Sequence, residues 1–276
     1  MIDSTDAIIE LALREDIGHQ DVTTRILIDN KKIGASHIRA KEAFLLAGID
    51  VFSRVFYKLH ERITIDSFFD NGEEIKDGDI IAKLTGPLWA LLSGERTALN
   101  FLQRLAGIAT YTRQVVQRIE KYPVRILDTR KTTPGWRILE KEAVRIGGGY
   151  NHRWGLYDGI LIKDNHIRAA GGITNSIEKA RLNAPFLSKI EVETTTLEEV
   201  EEALKAKADV IMLDNMSLGN IKLAVDLIGG DVPVEVSGGV TIRTVEAIAE
   251  TGIDFISMGE LTTASRAVDV TMELEN

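Results

Sequence analysis

From residue 124 onward, short runs of β-branched and aliphatic residues recur, each closed by polar residues or glycine. Val124–Leu127 precedes Asp128-Thr129-Arg130-Lys131, Ile160–Ile162 precedes Lys163-Asp164-Asn165, and Ile190–Val192 precedes Glu193. Val210–Leu213 leads into Asp214-Asn215, Val234–Val236 into Ser237-Gly238-Gly239, and Phe255–Met258 into Gly259-Glu260. The last four ends are evenly spaced, 21 residues from Glu193 to Asp214, 23 more to Ser237 and 22 more to Gly259. Stretches of helical periodicity, such as Leu197–Ala206 and Thr241–Glu250, lie between them. Short apolar strands alternating with helices predict parallel βαβ units. Six units in a row without a Gly-x-Gly-x-x-Gly fingerprint predict an α/β barrel, whose chemistry sits at the C-terminal ends of its strands.

The first half has a different pattern. A helix is predicted over Asp6–Arg14, followed by β-like stretches and turns at Asn71-Gly72 and Asp77-Gly78-Asp79. Residues Glu74–Lys83 read as a hairpin in a small α/β domain. A long amphipathic helix is predicted from Ser93 toward Lys121, with Leu99, Leu102, Leu105, Val115 and Ile119 on its apolar side and Ser93 as its N-cap. Arg96 would then lie in the first turn, where the helix dipole disfavours a cation, so a purpose beyond helix stability is expected of it. These patterns divide the chain into an α/β domain over residues 1–112 and a barrel over 113–265, with the tail 266–276 packing on the first domain.

Composition narrows the function. The chain has 276 residues, 44% hydrophobic and 27% charged, which suits one large or two smaller globular domains. Without cysteine, neither a disulfide framework nor a thiolate metal site is available. The segment Met1–Asp6 lacks the basic and apolar blocks of a signal peptide, and no apolar run approaches the roughly 20 residues needed to span a bilayer, so a cytoplasmic protein is expected. A net charge of −9 argues against general nucleic-acid binding.

Against that acidic background, residues 125–168 hold nine Lys/Arg and five Asp/Glu, interleaved with Gly, Thr, Asn and His. Such interleaving suits a cradle for a small polyanion better than a solvated helix face, which mixes both signs at i,i+4. Each residue also has a plainer reading. Arg130 and Lys131 could form an exposed turn pair, His152 could be a core histidine, and Lys163 a structural lysine. Gly147-Gly148-Gly149 could simply end a helix at Ile146. Glu193 and Asp214 read equally well as caps of the helices that follow them.

The motifs together resemble a family. Ser93–Thr110, Asp128–Gly135, Gly147–Arg153, Leu161–Ile167, Asp214-Asn215-Met216 and Ser237-Gly238-Gly239 are similar, in order and spacing, to the signatures of the quinolinate phosphoribosyltransferases. Arg14–Gly18 and Asp21–Thr24 fit as well, so nearly the whole chain is covered. The departure is His19-Gln20, where the family often has a small residue and Gly.

The resemblance implies an N-terminal α/β sandwich domain and an incomplete seven-stranded TIM-like α/β barrel. It implies phosphoribosyl transfer from 5-phosphoribosyl 1-diphosphate to quinolinate, with decarboxylation, Mg²⁺ and a homodimer in which the partner supplies Arg96. Arg130, Arg153 and Arg96 match the positions for the two carboxylates of quinolinate, with His152 beside them. Lys163 is also near them and, with Lys131, matches the diphosphate positions, Ser237, Gly238, Gly239 and Gly259 match the 5-phosphate positions, and Thr129, Ser257 and Met258 match further substrate-binding positions. Lys131, Lys163, Glu193 and Asp214 match the catalytic ones, and Glu193 and Asp214 also the metal-binding ones. Three other readings compete. A molybdenum-locus paralogue would lack the Asn151-His152-Arg153 and Lys163–His166 set, which is intact here. A Schiff-base aldolase would use Lys163 as nucleophile and need it neutral. A non-catalytic binding module is disfavoured by the number of polar strand ends.

Overall fold

A computed structural model describes residues 4–275 of the chain. Residues 1–3 and 276, at the limits of the expected domains and signal-peptide reading, lie outside the described residues. The chain divides into two compact units. One comprises residues 1–113, 133–148 and 264–276, and the other residues 114–132 and 149–263.

The first unit is built on an antiparallel sheet in the order Val270–Leu274, Ile33–Ala40, Ile80–Pro87, Thr64–Ser67. Its helices include Ser4–Ile17, Ile49–Leu59 and the 31-residue Leu88–Arg118. The core holds Ile38, Phe52, Phe56, Leu84, Leu91, Leu99 and Phe101, all at most 1% exposed. Truncating such an aliphatic side chain to alanine costs about 2–5 kcal/mol. Residues 133–148, within the range assigned to the barrel from the sequence, group with this unit. Trp136 stacks on Phe101 at 4.5 Å, and buried Glu140 binds Arg104 at 3.1 Å and Thr133 Oγ1 at 2.8 Å.

Two local expectations are corrected here. Glu74–Ile75 pairs with Phe44–Leu45, while Ile80–Pro87 pairs with Ile33–Ala40 and Thr64–Ser67, so residues 74–83 are not a hairpin but a turn between two separate pairings. The long helix begins at Leu88, not Ser93. Pro87 ends the preceding strand, and Leu88 and Leu91 extend the buried stripe, so nothing stops the helix from starting five residues early. Ser93 is therefore inside the helix, and its hydroxyl donates to Asp21 rather than capping. Arg96 lies beyond the first turn, and the dipole argument for it falls away.

The second unit is a parallel six-stranded sheet flanked by helices. Its order is Arg125–Leu127, Phe255–Ser257, Val234–Ser237, Val210–Asp214, Ile190–Thr194, Ile160–Ile162. A single parallel bridge between Leu127 and Tyr150 supplies a further strand position beyond Arg125–Leu127. The unit is thus an incomplete α/β barrel, with a seventh position reduced to one residue. Ile126, Ile190, Val192, Ile211, Leu213, Val236 and Ile256 form its apolar core. Among the described residues, no helix is long and apolar enough to cross a membrane.

Candidate active site

Because the strands are parallel and in register, their C-terminal ends gather Thr129, Arg130 and Lys131 with Lys163, Glu193, Asp214, Ser237 and Gly259 at one end of the sheet. Arg96 belongs to the other unit, where it lines a pocket with Asp16, Gln20, Asp21 and Ser93 and lies 3.9 Å from Glu95.

Cations dominate the site. Lys163 Nζ donates to Glu193 Oε2 at 2.5 Å. A Schiff-base lysine needs a neutral amine; this one is an ion-pair donor. Arg153 donates one N–H to the Gly159 carbonyl at 3.0 Å. Burial, and then the charge of Arg130, push the Arg153 guanidinium below its usual range. It stays protonated. Lys131 is fixed by its backbone: its N–H donates to Thr129 Oγ1 at 3.0 Å, and Thr262 Oγ1 donates to its carbonyl at 2.6 Å.

Neither acid caps a helix. The helices after Glu193 and Asp214 are capped by Thr196 and Ser217, which leaves both carboxylates for other work. Asn215 holds the neighbouring Asp214 carboxylate by a 2.7 Å bond from Nδ2. Asn215 adopts φ +54°, and Gly238 adopts φ +88° beside it. A Cβ on Gly238 would lie 2.4 Å from Asn215 Oδ1, so only glycine fits. Gly239 follows at φ +61°, so the chain leaves the strand through two successive left-handed residues. Ser257 and Met258 are buried, and the Met258 N–H donates to Leu127, so the Met258 side chain serves the core rather than the site surface.

Beneath this surface lies a polar cluster of which the sequence singled out His152 but not Glu191 or Glu235. His152 Nε2 lies 3.1 Å from Glu191 Oε2 and 3.4 Å from Glu235 Oε2, while Nδ1 accepts the Arg153 N–H at 2.7 Å. Fully buried Asp128 accepts the His152 N–H at 2.9 Å and Asn151 Nδ2 at 2.6 Å. Burial opposes charge on His152, but the hydrogen bonds and charges of Glu191 and Glu235 outweigh it and raise its pKa to about 10. Burial also raises Glu191, helped by the Glu235 charge. The Arg153 N–H occupies the Nδ1 lone pair, so the ring carries its proton on Nε2, toward the two carboxyls. The signal in the sequence was period-two alternation. Glu191 lies two residues before Glu193 and Glu235 two before Ser237, each on the same face of its strand.

An incomplete α/β barrel that gathers cations, two acids and glycines at its strand ends has the layout of an α/β-barrel enzyme, whose chemistry sits at that end. The family models for the "Quinolinate phosphoribosyl transferase, N-terminal domain" and "C-terminal domain" match residues 21–106 and 108–273. The chain belongs to the quinolinate phosphoribosyltransferase family. It is 44% identical to the probable nicotinate-nucleotide pyrophosphorylase (carboxylating) of Bacillus subtilis, over 94% of this chain and 90% of that protein. It is 39% identical to a quinolinate phosphoribosyltransferase (decarboxylating) of Nicotiana tabacum, over 97% of this chain and 81% of that protein. The solved structure of nicotinate-nucleotide pyrophosphorylase from Ehrlichia chaffeensis is 39% identical and superposes with a TM-score of 0.95, covering 100% of both chains.

Proposed function

We propose that the chain transfers the phosphoribosyl group of 5-phosphoribosyl 1-diphosphate to quinolinate and decarboxylates the product, giving nicotinate mononucleotide, diphosphate and CO₂ for NAD biosynthesis. The observation that carries this reading is the gathering of Arg130, Lys131 and Lys163 with Glu193 and Asp214 at one end of the parallel sheet, with Arg153 near enough to Arg130 to feel its charge. Two guanidinium groups so placed are stabilised by an anion between them, and planar forks match carboxylates bidentately. Quinolinate, with two adjacent carboxylates, supplies such an anion. Lys163 flanks this half of the pocket, and Arg96 completes it from a second copy in a homodimer.

The donor occupies the other half. The Ser237-Gly238-Gly239 turn and Gly259 take the 5-phosphate, with Ser257 and the Met258 backbone behind them, while Thr129, Lys131 and Lys163 take the diphosphate. Glu193 and Asp214, at the ends of neighbouring strands, offer hard oxygen donors near the ribose hydroxyls. Two carboxylates fit Mg²⁺, which keeps several waters and is completed by substrate phosphates. When bound, Mg²⁺ would neutralise charge on the departing diphosphate.

The pyridine nitrogen attacks C1 of the ribose as the C1–diphosphate bond breaks. Loss of CO₂ from C2 then leaves its electron pair beside the cationic ring nitrogen, and a proton takes its place. The protein supplies positioning and fixed charge. The acidic, cysteine-free composition supports a cytoplasmic location. The test is incubation of the purified chain with quinolinate, phosphoribosyl diphosphate and Mg²⁺. Nicotinate mononucleotide and CO₂ should appear in equal amounts; absence of either product would defeat the proposal.

A further inference from the structure

Glu191 and Glu235 are costly residues to keep. They are 9% and 2% exposed, and one oxygen of each, Oε1, is buried without a hydrogen-bond partner among the described residues. A buried carboxyl with an unsatisfied oxygen is destabilising, and an apolar replacement of a buried ionic group is often neutral or stabilising. The stability of the barrel therefore does not explain the pair.

A metal does not explain it either. The ligand atoms of His152, Glu191 and Glu235 lie within 4.8 Å of one another, close enough to share a divalent cation. Coordination by Nε2 would require the ring proton on Nδ1. There it would meet the Arg153 N–H, 2.7 Å away. The hydrogen-bond pattern instead fixes the opposite tautomer, with Nε2–H directed at the two carboxyls and the Nδ1 lone pair spent on Arg153.

Both ring nitrogens of His152 are thus committed within the protein. We infer that Glu191 and Glu235 are positioning residues that hold His152 in the Nε2–H tautomer, so that its Nδ1 fixes the Arg153 backbone and aims the Arg153 guanidinium at a substrate carboxylate. His152 then serves the substrate through Arg153 rather than by touching it. The chain of contacts is continuous: carboxyl pair to Nε2, Nδ1 to the Arg153 N–H, and Arg153 Nη1 to Gly159 at 3.0 Å. Asp128 fixes the backbone at the ring's own residue. This inference rests on the proposed role of Arg153 in binding quinolinate.

The test compares the full-length wild type with two double variants. Glu191→Met with Glu235→Met removes both acceptors at similar volume. Glu191→Gln with Glu235→Gln keeps a carbonyl oxygen for Nε2–H. The methionine variant should raise KM for quinolinate about tenfold or more, the effect typical of losing an orienting partner. KM for phosphoribosyl diphosphate should stay within about twofold, and the unfolding temperature should not fall. The glutamine variant should recover most of the quinolinate KM.

An unchanged quinolinate KM in the methionine variant overturns the inference. So does an equal loss for both substrates together with a lower unfolding temperature, which marks a purely structural pair. If the methionine variant does not fold, ¹⁵N spectra of the wild-type His152 ring decide. The Nε2–H tautomer should persist when quinolinate is added, and a change of protonation at either ring nitrogen on binding overturns the inference. Failure of the wild type to turn over quinolinate is a separate result, which defeats the functional proposal while the ring spectra still report whether His152 is held as described.

Discussion

Lys163 Nζ and Glu193 Oε2 lie 2.5 Å apart across the ends of adjacent strands, which joins a cation of the site to one of its two acids. The Lys163 side chain is 45% exposed, so the pair contributes little to stability. Its value is positional. Glu193→Gln should leave the unfolding temperature within about 2 °C of wild type, as expected for a change below about 0.5 kcal/mol. The same change should lower kcat/KM about a hundredfold or more, as loss of one preorganised charge does. Steady-state kinetics and thermal unfolding on the same sample check both. A large stability loss with modest kinetic loss would make the pair structural.

Arg130→Lys keeps the charge and loses the fork. Quinolinate affinity should weaken about tenfold or more, while affinity for phosphoribosyl diphosphate changes little. Separate calorimetric titrations of the two ligands distinguish these effects. Equal weakening of both would move Arg130 to the donor half of the pocket.

The proposed shared site makes a complementation prediction. Arg96→Ala and Lys163→Ala chains should each be inactive alone. In a mixed dimer, one site carries both lesions and the other neither. Subunit exchange should therefore restore activity to about half the sites of each heterodimer. Demonstrated exchange with no recovery would show that Arg96 does not act in a partner's site.

Asp21 gives a pH signature. Its carboxylate accepts Thr24 Oγ1 at 2.5 Å, Thr24 N–H at 2.9 Å and Ser93 Oγ at 2.9 Å. The Thr24 hydroxyl is the largest of the causes that hold it below its ordinary value of 3.8. A depressed acid stabilises the fold fully above its unfolded pKa, and that contribution is lost as pH falls through the folded one. Asp21→Ala should therefore cost about 1 kcal/mol at pH 7, as loss of an N-cap does, and less below pH 3.8. Chemical denaturation at the two pH values measures it, and equal losses would remove the charge from the explanation.

The barrel strands were legible in the sequence because parallel strands covered on both faces are short apolar runs, and the residue closing each run marks its functional end. Arg130, Lys163, Glu193 and Asp214 could be placed at one end of the sheet on that basis alone. Non-local pairings were not legible. Residues 74–83 carry a turn signal indistinguishable from a hairpin's, and their partners in Phe44–Leu45 and Ile33–Ala40 lie 29 to 46 residues away. The early start of the long helix was masked because Ser93 has the chemistry of a cap, yet its hydroxyl is used by Asp21. Glu191 and Glu235 were hidden within strands, where an acid reads as an outward-facing residue until the closed side of the sheet is known.

Substrate discrimination tests the pocket most directly. Quinolinate and nicotinate differ by one carboxylate, and a site built around Arg130 and Arg153 leaves a cation unmatched when that group is missing. In one assay with phosphoribosyl diphosphate and Mg²⁺, kcat/KM for quinolinate should exceed that for nicotinate by about a hundredfold or more. Comparable turnover of nicotinate would contradict a pocket organised around two carboxylates.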